Sequence, residues 1–521
     1  MLVCSCEKEE QDGTGKTVPV WKEYLIYAES RDMLIRSITT TQTATSVLFM
    51  DGSSIDIPSS EQRVEDYSSS TMPVWEVVGG CWFKDGEDTG IVVRSGQSKV
   101  SSPIVFAGYD TKVLELAFAS GDVLSLPLLG GLEKRLPAIR LTTDSGRAIT
   151  SKTNYVHGTI SVEDPTMTYS EMEFYSGDMW IRGRGNSTWN RPKKPYKIKL
   201  EENAGLLGMP SDKEWCLLAD YYDRTLVRNL TAMELSRICG MSWTPRMAKV
   251  DVWLNGEYVG VYTFCEHKKV DKYRVNIAPT DCYLSIDEVQ DKPFHFMTSM
   301  NIPVEFDEPE MPESSQYLFI VSYFKSFESA LQGKDFKDPE KGYAAWIDVP
   351  SFVNYYIIQE LAKNIDGNTR RSTFVTKESG KKLEMYHVWD FDLAFGNCNY
   401  FSKEFPGSDN GYTGFYIRDF NQYYKMYTGW YYRLFQDPAF VQKVKDRWNE
   451  LKPQFETIPD YIDSQIALMG PSVKNNFQRW PVLSETFSSP SRFSDFSGHV
   501  SYFKVFYSKR LNWLDKELNA L

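Results

Sequence analysis

Along residues 19–132 the hydrophobic positions fall in short alternating runs separated by Gly, Asp and Ser, a pattern that predicts strands joined by tight turns. Two pieces are alike. Phe49-Met50-Asp51-Gly52-Ser53-Ser54-Ile55-Asp56-Ile57-Pro58 and Phe118-Ala119-Ser120-Gly121-Asp122-Val123-Leu124-Ser125-Leu126-Pro127 each read as strand, glycine turn, alternating strand, then Pro. Residues 81–90 between them read as another hairpin. Two copies are too few for a solenoid, and no catalytic constellation lies here, so the segment reads as a spacer or binding module. After the boundary at 130–137 the pattern becomes mixed. Strand-like runs cover 138–142, 155–162, 179–183, 195–200 and 248–264. Asp223 is placed to cap a helix with Leu226, Leu230 and Met233 on one face and Gly240 as its stop. Residues 351–363 predict a mostly buried helix, 372–377 with 382–389 a hairpin, Asp437-Pro438 the start of a helix running to about 452, and the last turns of the chain an amphipathic helix. The order predicts an α+β fold: a tether over 1–18, a β-rich module over 19–132, and a larger domain over 133–521.

The charge sum changes this picture more than the composition does. With 58 Lys and Arg against 70 Asp and Glu, the net charge of −12 argues against nucleic acid or an anionic membrane as partner. Five His and the absence of any Cys-x-x-Cys pair argue against a structural zinc site. Cys216, Cys239, Cys265 and Cys398 lie in apolar contexts and read as small buried hydrophobes. The first residues differ. Val3-Cys4-Ser5-Cys6 resembles a bacterial lipobox, and the acidic run behind Cys6 resembles the export signal of surface lipoproteins. The resemblance implies a lipid anchor at Cys6, the given start lying inside a signal peptide or the signal having been trimmed, and a place at the cell surface or in the periplasm, on the outer membrane; a disordered acidic tail of a cytoplasmic protein is the plain alternative. The β-rich module likewise resembles those that precede the functional domain of surface lipoproteins.

Three clusters carry candidate chemistry. In 181–200 a glycine turn, Arg182-Gly183-Arg184-Gly185, precedes Lys193, Lys194, Lys197 and Lys199, giving seven basic residues within 182–199. Backbone N–H groups of such a turn approach an anion, and the basic side chains add charge. A solvated basic face is the plain alternative. In the strand after the turn, Tyr196, Ile198 and Leu200 share one face and Lys197 and Lys199 the other. The second cluster is Lys363-Asn364-Ile365-Asp366-Gly367-Asn368, directly after a buried helix; the third is Trp389-Asp390-Phe391-Asp392-Leu393. Two Asp among large apolar residues are costly to bury without a cation, and carboxylate oxygens suit Mg²⁺. One Asp to orient a hydroxyl, others to hold metal, and cations under a glycine turn form the set that phosphoryl transfer requires.

The runs RGRGNSTW…PKKPYKIKL, LLADYYDRTLVRN, LNGEYVGVYTFCEHKKVD and WDFDLAFGN together resemble the CotH kinase family, named for a bacterial spore-coat protein kinase. The resemblance implies an atypical protein-kinase-like domain that transfers phosphate from ATP to Ser or Thr of a protein, with Mg²⁺ or Mn²⁺. Carried over, Asp366 takes the catalytic-loop position and Asp390 the metal-binding position, with Asp392 sharing the metal. The turn Arg182, Gly183, Arg184, Gly185 with Lys194, Lys197 or Lys199 holds phosphates; Lys194 and Lys199 lead. Glu266 is a candidate partner for that lysine, a surface Glu starting a turn being the other reading. Asp223, Arg224 and Arg228 organise a helix start.

One departure matters. Kinase catalytic loops place Asn five residues after the Asp to hold a second metal; here that residue is Arg371. The second metal therefore lacks its ligand, and a different class competes: a non-catalytic surface adhesin or binding lipoprotein on a pseudokinase scaffold, using aromatics such as Tyr423, Tyr424, Tyr427, Trp430, Tyr431 and Tyr432 for a protein or glycan. A glycoside hydrolase is a distant third, since it needs paired carboxylates at a set separation.

Overall fold

The computed structural model describes residues 135–521 except 170–173, 368, 399–410, 420–428 and 486–492, and before residue 135 only the strands and Gly86. Cys6, Asn368 and the tyrosines at 423, 424 and 427 lie outside the described residues. The chain divides into two compact units, Met1–Glu133 and Lys134–Leu521. In the first unit both look-alike segments form hairpins: Ala44–Phe49 pairs with Ser54–Pro58, and Val113–Phe118 with Val123–Pro127. The hairpin read at 81–90 is formed by Cys81–Lys84 and Glu87–Val92.

The second unit opens with seven strands, numbered here from its start: β1 (Ala138–Thr143), β2 (Val156–Glu163), β3 (Phe174–Gly183), β4 (Tyr196–Ala204), β5 (Asp212–Leu218), β6 (Met247–Leu254) and β7 (Glu257–Glu266). They close into a barrel in the order β1-β2-β3-β4-β5-β7-β6. All contacts are antiparallel except the seam, where β6 runs parallel to β1 with Ala138 opposite Asp251. Closure removes the unpaired edges that an open sheet would expose. Every second side chain points inward: Ile139, Ile160, Ile181, Ile198, Trp215, Leu217, Val250 and Phe264 are at most 1% exposed. The alternation read at Tyr196, Ile198 and Leu200 is the inward face of β4, with Lys199 exposed outside. The run 248–264 is not one strand but two. Asn255 (φ 52°) and Gly256 (φ 83°) make the two-residue turn that returns β7 along β6.

Between β5 and β6 lies helix α1 (Arg228–Cys239). It ends, as read, at Gly240 in the left-handed conformation. It begins five residues later than Asp223, because that carboxylate reaches forward to accept the Thr225 and Arg228 backbone N–H groups at 2.9 and 2.8 Å. After the barrel come β8 (Cys282–Ile286), β9 (His295–Met297) and β10 (Pro303–Glu308), then α2 (Ser314–Gln332) and α3 (Val349–Ala362). The predicted hairpin follows as β11 (Thr373–Lys377) and β12 (Glu384–His387), completing a five-stranded sheet in the order β9-β10-β8-β11-β12. Among the described residues the remaining helices are α4 (Trp430–Leu434), α5 (Pro438–Phe455), α6 (Ile458–Met469), α7 (Ser472–Arg479) and α8 (Phe496–Ala520). Asp348 caps α3 by accepting from Ser351 N at 2.9 Å, and Asp437 caps α5 by accepting from Ala439 N at 3.0 Å. One large core joins the sheet to α2, α3, α5 and α8 through Phe324, Phe352, Trp448 and Phe503. A smaller cluster on the outer face of β5 and β7 packs Cys216 and Cys265 against Trp243, Phe374, Tyr386 and Trp389.

The α+β class agrees with the sequence reading. The closed seven-stranded barrel was not in that reading, because nothing in the alternation of single strands announces the parallel seam that seals them. No helix among the described residues is long and apolar enough to cross a membrane.

Candidate functional site

Helix α3 ends at Ala362, and Lys363 turns left-handed (φ 45°) to release the chain into the segment carrying Asp366. Asn364, fully buried, ties this segment to the one after β12: its side-chain amide donates to the Asp390 carbonyl at 3.2 Å, and its oxygen accepts from Asp366 N at 3.3 Å. Asp390 itself has φ 68°, a conformation rare outside glycine that marks a constrained position. The segment beyond it is held from three sides. Phe391 N donates to Asn229 Oδ1 at 2.9 Å, Arg228 Nε donates to the Ala394 carbonyl at 3.1 Å, and Asn397 Nδ2 donates to the carbonyls of Tyr222 and Asp392 at 2.9 and 2.6 Å. Phe395 N donates to the Ala362 carbonyl at 2.7 Å, which closes the loop onto the end of α3. Arg228 is in turn fixed to Asp223 at 2.5 Å, both fully enclosed. Asp223 and Arg228 thus anchor the Asp390 segment as well as the helix start, whereas Arg224 donates to the carbonyls of Val482 and Glu485.

These contacts bring Asp366, Asp390 and Asp392 close enough to perturb one another. Burial first, then the Asp390 charge, raises the Asp366 carboxyl from 3.8 to about 6. Asp390 reaches solvent, yet desolvation by the protein around it raises its carboxyl, opposed chiefly by the charges of Arg184 and Lys268. Asp392 is held well above the usual carboxylate range, by burial and then by Asp390 and Asp366. Ser372 Oγ reaches Asp390 Oδ2 at 3.5 Å.

Of the basic turn, one residue reaches this group. Arg184 lies over the Trp389 ring at 5.8 Å and is the leading charge opposing the rise at Asp390. Arg182 turns the other way, donating to the Lys152 carbonyl and stacking over Tyr155 at 5.1 Å. Gly183 leaves no open cradle, since a Cβ there would meet the Trp189 ring at 2.3 Å, whereas Gly185 (φ 78°) needs glycine for its backbone. Lys194 donates to the Trp189 carbonyl at 2.6 Å. Lys197 forms an ion pair with Glu214 at 3.2 Å and donates to His267 Nε2 at 2.8 Å. Lys199 stands exposed on the strand's outer face, opposite Glu214 in register. Glu266, fully buried, is engaged by the Arg246 backbone N–H and guanidinium at 2.8 and 2.9 Å rather than by Lys194, Lys197 or Lys199.

Two features escaped the sequence reading. Lys268 faces Asp390 from the end of β7, its Nζ 3.7 Å from the Phe374 ring centre and 5.2 Å from that of Trp389. Burial lowers its amine to about 8. It stood in the run LNGEYVGVYTFCEHKKVD, but nothing in its immediate neighbours separated it from Lys269. The second is an enclosed ion pair between Lys249 of β6 and Asp220, at 2.7 Å and at most 1% exposed, shared with Thr263 Oγ1 at 2.7 Å. Asn229 donates to Asp220 at 3.4 Å and accepts from Phe391 N, so the pair braces the Asp390 segment. An outward Lys in a strand of alternating apolar residues was the available signal.

Arg371 sits beside Asp366 at 3.8 Å and also engages Glu288, which Arg370 holds at 2.5 Å. The residue found in place of the expected Asn therefore contributes positive charge to the same cleft. Among the described residues no group of three or more His, Cys, Asp or Glu is placed to enclose a metal alone. A pair of carboxylates, as at Asp390 and Asp392, is what Mg²⁺ takes when phosphates and water complete its shell.

No curated protein matches the chain. The sequence profile of the family described as CotH kinase protein matches residues 181–514, which span the basic turn, the Asp366 segment, the Asp390 segment and the helices that hold them. By that match over more than half its length, the chain belongs to the CotH kinase family.

Proposed function

We propose that the domain is an atypical protein kinase: it transfers a phosphoryl group from ATP to a protein hydroxyl with the help of a divalent cation. The observation that carries this reading is the convergence of Asp366, Asp390 and Asp392 with Arg184 and Lys268 in a family named for such kinases. Asp390 and Asp392 would hold Mg²⁺ or Mn²⁺, which when bound neutralises charge on the phosphates. Asp366 would orient the acceptor hydroxyl and take its proton as that oxygen bonds to the γ-phosphorus and the bond from that phosphorus to the leaving ADP oxygen breaks. Arg184 and Lys268 would hold the phosphates. Asn364 fixes the two aspartate segments relative to each other.

A second reading, a surface-binding scaffold without turnover, is favoured by Arg371, which spends its charge on Asp366 and Glu288. In either case Cys6 is proposed as a lipid anchor placing the protein at the cell surface, and fatty-acid labelling lost in Cys6→Ala tests it. Incubation with labelled ATP, Mg²⁺ or Mn²⁺ and a generic protein substrate separates the two readings. Kinase function predicts label in the wild type and its loss in Asp366→Ala; equal background from both rejects it. Thermal shift with ATP and Mg²⁺, separately and together, reports binding, and no shift under any condition favours the scaffold.

A further inference from the structure

Cys216 of β5 stands directly opposite Cys265 of β7 in an antiparallel pair. Both thiols are free and fully buried on the outer face of the barrel. Directly opposed strand residues have Cα atoms about 4.5–5.5 Å apart, inside the roughly 4.4–6.8 Å that a disulfide spans. A row of polar groups runs up to the first sulfur. Glu214 pairs with Lys197 at 3.2 Å, Lys197 Nζ lies 2.8 Å from His267 Nε2, and His267 Nδ1 lies 3.5 Å from Cys216 Sγ. An ammonium group only donates, so Nε2 accepts and the ring proton sits on Nδ1, facing the sulfur. The two thiols are also unequal. Hydrogen bonds from Cys265 and from the His267 ring, with the charge of Arg184, outweigh burial and hold the Cys216 thiol well below its ordinary range. Burial and the neighbouring Cys216 hold Cys265 well above it. Such a difference separates an attacking sulfur from a resolving one. Elsewhere, burial pushes Cys239 up, and Cys282 is raised to about 11.

We propose that Cys216 and Cys265 form an oxidisable dithiol, in which hydrogen peroxide converts Cys216 to a sulfenic acid and Cys265 closes a cross-strand disulfide. The full burial of both sulfurs selects a water-sized oxidant over a bulky disulfide. The Cys216 thiolate attacks one peroxide oxygen; the S–O bond forms, the O–O bond breaks, and the departing hydroxide takes a proton to leave as water. Cys265 then attacks the Cys216 sulfur; the S–S bond forms, the S–O bond breaks, and the thiol proton leaves with the hydroxyl as a second water. Two thiols lose two electrons, and one peroxide is reduced to two waters. The pair packs against Trp389, the residue before Asp390, so its redox state is set at the back wall of the candidate site. The chemistry of the pair stands whether or not the domain transfers phosphate.

The test uses the full chain, reduced and then exposed to excess hydrogen peroxide, alkylated under denaturing conditions and mapped by mass spectrometry. The expected result is one linked peptide pair joining Cys216 to Cys265, short of two hydrogens and restored by dithiothreitol. In Cys265→Ser, dimedone is expected to trap a sulfenic acid at Cys216, and His267→Gln is expected to slow that labelling roughly tenfold. The wild-type map decides by itself, so a variant that fails to fold does not shield the idea. Both thiols still alkylated, either sulfur joined to a different cysteine, or oxidation only to sulfinic and sulfonic acids would each overturn it.

Discussion

Replacing Asp366 by Asn tests whether the aspartates of the cleft are held against their own charge. The Asp366 carboxyl is raised from 3.8 to about 6 by burial and by Asp390. The sign follows from linkage. A carboxyl raised in the folded state binds its proton more tightly there than in the unfolded chain, so folding is weakened where the group must ionise. Below about pH 3 the group is protonated in both states and costs little. As pH rises from 3.8 to 6 the cost grows, and above pH 6 it levels at about 3 kcal/mol. At pH 4.5 the same relation leaves about 1 kcal/mol. The Asp366 side chain is 16% exposed, so the figure is taken without a large discount for solvent. Asn removes the charge but also Arg371's partner at 3.8 Å; with Arg371 39% exposed, that loss is under about 1 kcal/mol. Asp366→Asn is therefore expected to stabilise the protein by about 2 kcal/mol at pH 7.5 and by at most about 1 kcal/mol at pH 4.5. Urea unfolding midpoints of both proteins at the two pH values, with chelator present, measure this. Equal midpoints at pH 7.5, or the same gain at both pH values, would refute the reasoning. Stabilisation together with lost phosphotransfer is the pattern of a residue kept for function.

Three further predictions concern the frame of the site. Lys249→Met leaves Asp220 ionised and enclosed, and should cost about 3–5 kcal/mol, most of it recovered when Asp220→Asn is added; a single-variant loss under 1 kcal/mol in urea would contradict the enclosed pair. Gly183→Ala puts a methyl 2.3 Å from the Trp189 ring and should lose about 1–3 kcal/mol by overpacking. An altered near-ultraviolet circular dichroism band should accompany that loss, and an unchanged spectrum and midpoint would show that the ring has room to move. Asp348→Ala removes the acceptor of Ser351 N and should cost about 1 kcal/mol, read from the thermal midpoint, whereas Asp348→Asn should cost much less.

How far the sequence reached depends on whether the governing contact was local. Helix starts at Asp348 and Asp437, the stop at Gly240 and the turn in the β11–β12 hairpin are decided within a few residues, and each could be read from side-chain type and spacing. Helix α2 escaped because it exposes apolar side chains, Leu318 at 64% and Phe319 at 53%, which blur the stripe that marks an amphipathic helix. The barrel escaped because its seam joins residues more than a hundred positions apart, as in Ala138 with Asp251. The site divides along the same line. Asp390 and Asp392 stood out because two Asp among large apolar residues are anomalous on their own, and Asp366 because it directly follows a buried helix. The choice among the basic residues was not local. Seven cations in 182–199 are alike in composition, and only folding decides that Lys197 meets Glu214 and His267, Lys194 meets a carbonyl, and Arg184 alone faces Asp390.

The charge of the whole chain and the charge of the cleft answer different questions. A net charge of −12 disfavours the approach of polyanions to the chain as a whole. In the cleft the two walls are unmatched in opposite senses. On one wall Asp366, Asp390 and Asp392 are each raised, which means that their mutual repulsion and burial exceed what Arg371, Arg184 and Lys268 return. On the other, burial lowers the Lys268 amine to about 8, so its positive charge is also held at a cost. Simple neutralisation of one wall by the other would have left neither set displaced this way. A divalent cation against the aspartates and a polyphosphate against Arg184 and Lys268 would relieve both walls together, whereas either one alone would leave the opposite wall as it is. A ligand that carries both charges in one complex is therefore what the proposed kinase reading requires of this site.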